Sequence, residues 1–253
     1  MFPETEPRDG DEVSFVAQMG GGQVPAMRSK ESSHSQTQRR NAYLAGRHHG
    51  LAMLVRQIAV GTMQNFVYLL ADKPGGEGLV VDSGWETQPI VNAAKKANVR
   101  VSFVVATHNH FDHTSSLTEL AESLGAKVVA HQRSPIEHDI SVDGGDVLAL
   151  GKAEVKVIYT PGHTEDSICL YDGENLFTGD TLFIGNCGRT DLPGGSSREL
   201  FRSLHDVILR LPPSTVIYPG HDYGDVPYRS LGEEAQSNPV LTARTYAEFF
   251  GVP

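Results

Sequence analysis

The chain has 253 residues and a formal net charge of −10, from 21 basic and 31 acidic side chains. A chain this long suits one domain with an appendage better than two full domains, and 39% hydrophobic residues with 26 Gly and 14 Pro describe a turn-rich globular protein, not a fibrous one. The acidic excess opposes nucleic-acid binding, no apolar run approaches the ~18 residues of a membrane span, and two cysteines are too few for a disulfide framework, so a soluble cytoplasmic protein is expected.

Residues 1–48 are rich in Gly, Ser, Gln and charge, as in Gly20-Gly21-Gly22 and Ser32-Ser33-His34-Ser35, and lack a sustained apolar period. They read as a weakly ordered extension before a domain spanning 49–253. The acidic stretch from Met1 to Glu12 is unlike the basic start of a secretory leader. Apolar, β-branched stretches follow at Met53 to Val60, Asn65 to Ala71, Leu79 to Val81 and Val99 to Ala106, separated by turn residues, and these predict strands. Between the last two, Ile90, Ala93, Ala94 and Ala97 recur at helical spacing behind Thr87 as an N-cap.

The alternation continues with a helix around Ser115 to Ser123 and strands at Lys127 to Ala130, Asp146 to Ala149, Glu154 to Tyr159, Ser167 to Tyr171 and Asn175 to Phe177. Ser196 and Glu199 have capping-box spacing, and Leu200, Leu204, Ile208 and Leu211 share one face of a helix running to about Leu211. Thr215 to Tyr218 is the last predicted strand. Strands in two clusters, each attended by helices, predict an α+β protein of two sheets packed face to face with helices outside.

The chemistry concentrates where strands end. Thr107-His108-Asn109-His110-Phe111-Asp112-His113 leaves the strand at Val99 to Ala106 and crowds three imidazoles and a carboxylate into one loop. Groups so crowded converge on something or are left as poorly solvated polar side chains, and a pair of metal ions accounts for all four. Thr160-Pro161-Gly162-His163, Phe177-Thr178-Gly179-Asp180-Thr181 and Tyr218-Pro219-Gly220-His221-Asp222-Tyr223 each end another predicted strand with one ligand-type side chain. Each alone is ordinary turn chemistry. Four such loops at one edge of a sandwich make a site.

The ordered set His108, His110, Asp112, His113, His163, Asp180 and His221 resembles the ligand pattern of the metallo-β-lactamase superfamily, and Val80-Val81-Asp82-Ser83-Gly84 is similar to that family's early Asp motif. The resemblance implies a four-layer αββα sandwich. It implies that His108, His110 and His163 bind one metal, that Asp112, His113 and His221 bind a second, and that Asp180 bridges them while Asp82 orients the ligand loop from behind. Two divalent ions, zinc in the first instance with iron as the alternative, would activate a shared water by lowering its pKa toward ~7, with Asp112 and Asp180 as the catalytic carboxylates.

An Asp at position 180 is unlike the antibiotic-hydrolysing lactamases. Asp180-Thr181-Leu182-Phe183 and Gly220-His221-Asp222-Tyr223 resemble the glyoxalase II branch, whereas Cys187-Gly188-Arg189-Thr190-Asp191, Glu233-Glu234 and Asn238-Pro239 are similar to the persulfide dioxygenases. The resulting expectation is a thioesterase acting on a small, glutathione-linked thioester. Its enzymatic alternative is a mononuclear iron persulfide dioxygenase using His108 or His110, His163 and Asp180, and a non-catalytic metal-binding protein is a weaker third. Pro253 follows His221 too soon for the helical glutathione-holding domain of glyoxalase II, which leaves the thiol carrier open. Arg189 pairs with Asp191 or meets a substrate carboxylate, Tyr223 is a substrate contact, Cys187 is a packing residue, and His131 supports the site or packs in the core.

Overall fold

The computed structural model describes residues 53–252; the N-terminal extension expected over residues 1–48 lies outside them. Two six-stranded sheets form the centre of the molecule. The first contains β1 (Leu54–Val60), β2 (Asn65–Ala71), β3 (Glu77–Val81), β4 (Arg100–Val105), β5 (Lys127–His131) and β6 (Ile140–Val142), in that spatial order. The second contains β7 (Val147–Leu150), β8 (Ala153–Tyr159), β9 (Ile168–Tyr171), β10 (Asn175–Gly179), β11 (Val216–Pro219) and β12 (Arg229–Ser230). β1 to β3 are antiparallel neighbours, whereas β3 to β6 run parallel. In the second sheet only the β10 and β11 pair is parallel.

The four layers follow from the two-residue period of the strands. In β2, Phe66, Tyr68 and Leu70 point between the sheets, where they meet Val157, Leu170 and Phe177, while Val67 and Leu69 point outward. The outward set packs under α1 (Thr87–Ala97) and α3 (Leu117–Leu124) through Ile90, Ala94, Leu117 and Leu120. Between them in the chain lies the short α2 (Phe111–Thr114). On the far side, Cys169, Leu176 and Ile217 face outward beneath Leu200, Leu204 and Ile208 of α4 (Ser197–Arg202) and its extension, and beneath the closing helices. A strand buried on both faces has no polar alternation to display, and every residue of β2 is buried.

Several elements differ from the sequence expectation. β6 and β12 are too short to generate a pattern, and the helices α5 (Leu231–Ser237), α6 (Pro239–Thr242) and α7 (Tyr246–Phe250) are too brief for a helical period to register. The helix expected to run from Ser196 to Leu211 begins as foreseen, with the Glu199 N–H donating to Ser196 Oγ. It then widens to a π turn at Ser203–Val207 and ends as a 3₁₀ turn at Ile208–Arg210. The buried Ser203 hydroxyl donates to Pro161 O near the start of that turn. The helix expected over Ser115 to Ser123 is α3, Leu117–Leu124, and the single turn of α2 just before it was not expected. Thr87 is not an N-cap: Glu86 holds that position, and the Thr87 hydroxyl donates to Glu119 on α3. Among the described residues no helix is long and apolar enough to cross a membrane.

Candidate metal centre

All seven residues expected as ligands come together at one edge of the sandwich. β4 delivers His108, His110, Asp112 and His113, β8 delivers His163, β10 delivers Asp180, and β11 delivers His221. The first sheet therefore supplies four of these side chains and the second supplies three. The Pro-Gly-His sequences have a steric reason. A Cβ on Gly162, whose φ is +142°, would lie 2.2 Å from the Leu200 backbone nitrogen, and one on Gly220 would lie 2.6 Å from Asp180 Oδ1. Only glycine lets these turns approach so closely.

The imidazoles are oriented from behind. His113 Nδ1 donates to Asp82 Oδ2 at 2.8 Å, His163 Nδ1 to the Arg189 carbonyl at 2.7 Å, and His221 Nδ1 to the Met63 carbonyl at 2.9 Å. His108 Nδ1 lies 3.1 Å from Thr107 Oγ1, which itself donates to Asp82 Oδ2. With Nδ1 protonated in each, the Nε2 atoms turn lone pairs inward. His108 Nε2 is 3.1 Å and His163 Nε2 is 2.9 Å from His110 Nδ1, and His113 Nε2 is 3.1 Å from His221 Nε2. Lone pairs that face one another this closely in a buried site repel unless a cation or a proton lies among them, and nitrogens about 2 Å from one tetrahedral ion would stand at comparable mutual distances.

The carboxylates complete two clusters. Asp112 Oδ2 lies 3.5 Å from His113 Nε2 and 3.3 Å from His221 Nε2. Asp180 Oδ2 lies 3.5 Å from His163 Nε2 and 3.4 Å from His221 Nε2, so one oxygen reaches both clusters. Asp180 Oδ1 is 3.2 Å from His113 Nε2 but lacks hydrogen-bond geometry, a buried acceptor without a donor. Burial opposes the charge on Asp180, yet the charge of His113 and the close approach of the His113 and His221 imidazoles hold its pKa well below the ordinary carboxylate value. Asp112 is likewise desolvated and likewise lowered, to about 2, through His221, His113 and Asn65. Burial lowers His108 well below the usual imidazole value, while His221, although desolvated, is raised to about 9 by Asp112 and Asp180. Ionised carboxylates held against imidazoles that can exchange a proton for a metal make a cation-seeking cluster, and the donor set fits divalent metals.

Asp82 is the hub behind the ligands. Its carboxylate accepts from the Thr107 N–H at 2.8 Å, the Thr107 hydroxyl at 2.9 Å and His113 Nδ1, so one residue orients imidazoles of both clusters. Its φ of +61° is costly for a side chain with a Cβ, and those hydrogen bonds offset the strain. Replacing Asp82 by Ala is expected to weaken metal retention by about 10–100-fold, measured by competition with a chelator.

The remaining expected residues are also placed. The Arg189 guanidinium is held bidentately by Asp191, with both distances 2.6 Å, in an exposed pair. Tyr223 stacks on His221 with ring centroids 4.5 Å apart, and Phe183 meets the edges of both rings. Burial pushes the Cys187 thiol up to about 12, which suits packing and not nucleophilic attack. His131 is buried in a stack against Tyr159, outside the ligand clusters, with Nε2 bonded to Asp143. Asn65 escaped sequence reasoning: its amide donates to Asp112 Oδ2 at 3.0 Å and to the Asp112 carbonyl. A polar residue heading the otherwise apolar, wholly buried strand β2 was the available signal.

Comparison with known proteins gives a consistent outcome. The sequence profile of the metallo-β-lactamase superfamily matches residues 60–221. The human mitochondrial persulfide dioxygenase ETHE1 is 34% identical over 197 residues, which cover 76% of this chain and 78% of that protein. A hydroxyacylglutathione hydrolase of a Polaromonas strain is 35% identical over 179 residues, 68% of this chain and 67% of that protein. Among solved structures, ETHE1 from Myxococcus xanthus superposes with a TM-score of 0.74 at 31% identity, covering 79% of this chain and 92% of that one.

Proposed function

The chain belongs to the metallo-β-lactamase superfamily of metalloenzymes, and within it we propose that this protein is an iron-dependent persulfide dioxygenase acting on a small-molecule persulfide. The observation that carries this reading is the likeness to persulfide dioxygenases in both sequence and fold, 34% identity over 76% of the chain and a TM-score of 0.74. It puts oxidation ahead of the thioester hydrolysis expected from the sequence. The overall change balances as RSSH + O₂ + H₂O → RSH + HSO₃⁻ + H⁺: the terminal sulfur loses the electrons that dioxygen takes up, and the S–S bond breaks.

We assign His108, His163 and Asp180 to hold the ion, two imidazoles and one carboxylate. Iron bound there supplies a Lewis acid and a one-electron couple. The protein's own contribution is orientation and exclusion of water. Thr107 and the Arg189 carbonyl fix the rings of His108 and His163, and the neighbouring His113 and His221 keep the buried Asp180 carboxylate ionised. Tyr223, exposed and stacked on His221, is the side chain we assign to contact the substrate. The carrier leaves as a thiol, and with a pKa near 8.5 that group needs little help from an acid.

A second reading, hydrolysis of a glutathione-linked thioester at a two-zinc centre, is favoured by one observation: Asp112, His113 and His221 form a cluster of their own. Metal content and the His221→Ala variant separate the two. A dioxygenase holds about one iron per chain, takes up oxygen in the presence of glutathione persulfide, and keeps that activity within about tenfold after His221→Ala. A hydrolase holds two metals, releases thiol from S-lactoylglutathione without oxygen uptake, and loses activity by a factor on the order of 10² or more in the variant.

A further inference from the structure

The first cluster draws His108 and His110 from the loop after β4 and His163 from the loop after β8, and these strands belong to different sheets. The spacing of its nitrogens therefore depends on how two loops on separate layers are held to each other. Asn109, between the two histidines of the first loop, donates from Nδ2 to Asp166 Oδ1 at 2.8 Å. Asp166 belongs to the turn that carries His163. Its Oδ1 also accepts from the Thr164 hydroxyl at 2.7 Å, and Thr164 in turn is bonded to Ser167 and, through its carbonyl, to the Gly162 N–H. The carboxylate thus ties the His163 turn internally and reaches across to the other sheet's loop.

The choice of side chain is expensive. Asp166 is 2% exposed, and its Oδ2 is buried without a hydrogen-bond partner. An unsatisfied buried acceptor of this kind is destabilising, because its lost hydration is not replaced. A neutral residue would close the turn at lower cost, because Thr164 and Ser167 already bond to each other. What a neutral apolar residue cannot do is accept from Asn109. The contact spans 57 positions in sequence, so it is not a local turn requirement. One backbone bond, from the Ile168 N–H to the Thr107 carbonyl at 2.8 Å, joins the same two segments further from the histidines.

We propose that Asp166 is a positioning residue of the metal centre, which through Asn109 sets the distance between the loop bearing His108 and His110 and the turn bearing His163. The proposal rests on the assignment of those histidines as ligands. It predicts that Asp166→Ala and Asn109→Ala each weaken metal retention by about 10–100-fold, the range for outer partners of a metal site, and that the double variant is no worse than the weaker single one. Asp166→Asn keeps an acceptor for the Asn109 amide and should restore retention to within a few-fold of the parent.

The experiment is chelator competition on the full chain loaded with iron, together with the absorption spectrum of the cobalt-substituted protein and thermal unfolding of metal-stripped samples. The expected result is weakened retention and a changed cobalt spectrum in both alanine variants, with recovery of both in Asp166→Asn. Parent-like retention and spectrum in Asn109→Ala, which alters a half-buried loop residue and leaves the His163 turn intact, would overturn the proposal. So would independent, additive losses in the double variant. His163→Ala serves as the separate control: if that variant retains metal as the parent does, the ligand assignment has failed, and that outcome differs from a failure of the Asn109–Asp166 link alone.

Discussion

Replacing Asp180 by Ala should lower metal-dependent activity by a factor on the order of 10³, the largest catalytic effect of any single change in the chain. The reason is positional. Its Oδ2 stands 3.5 Å from His163 Nε2 and 3.4 Å from His221 Nε2, so removal opens both clusters at once. It also leaves the inward nitrogens of four imidazoles without the negative charge that makes a divalent ion favourable among them. A metal ion contributes several kcal/mol to the transition state, and each 1.36 kcal/mol is a factor of ten in rate, which gives the stated magnitude. Activity per chain and metal per chain should fall together. Undiminished turnover with full metal content in Asp180→Ala would remove this residue from the site in either functional reading.

The largest effect on stability is expected from Glu234→Ala, far from the ligands in sequence. Glu234 is fully buried on α5, where Oε2 accepts from the Gly185 N–H at 2.9 Å and from Asn238 Nδ2 at 2.8 Å, while Oε1 meets Arg229 at 3.1 Å. Asn238 in turn donates to the carbonyls of Phe183 and Asn186. The pair Glu234 and Asn238 therefore fastens the closing helices to the loop that follows Asp180, the loop whose Phe183 packs against His221 and Tyr223. Deleting the carboxylate strands the Gly185 N–H and Arg229. Breaking a buried pair costs about 3–5 kcal/mol, and because Arg229 retains Asp225 as a partner and some exposure, the lower end applies, about 3 kcal/mol. For a domain of this size that corresponds to a fall in Tm of roughly 6–12 °C. Denaturant unfolding of parent and variant at matched metal content measures it. Glu234→Gln keeps an acceptor for both N–H donors and should cost distinctly less, whereas equal losses in the two variants would mean that packing, and not these bonds, explains the effect.

Both predictions concern residues whose partners lie far away in sequence, and this distinguishes what could be read early from what could not. Most strands of the two sheets, the longer outer helices and the gathering of the seven candidate side chains were legible in the amino-acid sequence because each rests on local order. Strand period places alternate residues of β2 and β3 on opposite faces, and a loop leaving a strand must emerge at the sheet edge, so His108, His163, Asp180 and His221 were bound to gather there. Asp82 was likewise visible, as the residue ending β3 beside the ligand loop.

The tertiary structure alone decided the orientation of those side chains and the contacts that hold them. Which imidazole nitrogen faces inward depends on Asp82, Thr107 and the carbonyls of Met63 and Arg189, acceptors contributed by loops of both sheets. Asn65 and Asp166 carry no motif, and Glu234 stood out only as part of a resemblance that gave it no role; each matters because packing desolvates it and brings a distant donor or acceptor within hydrogen-bond reach. The short closing helices are set by caps at Ser230, Asn238 and Thr245 and by burial of Leu231, Val240 and Phe249, not by any period long enough to detect. The ligand list could not choose between oxidation and hydrolysis, because the same imidazoles and carboxylates suit one metal or two, and reactivity depends on which ion they hold and how it is oriented.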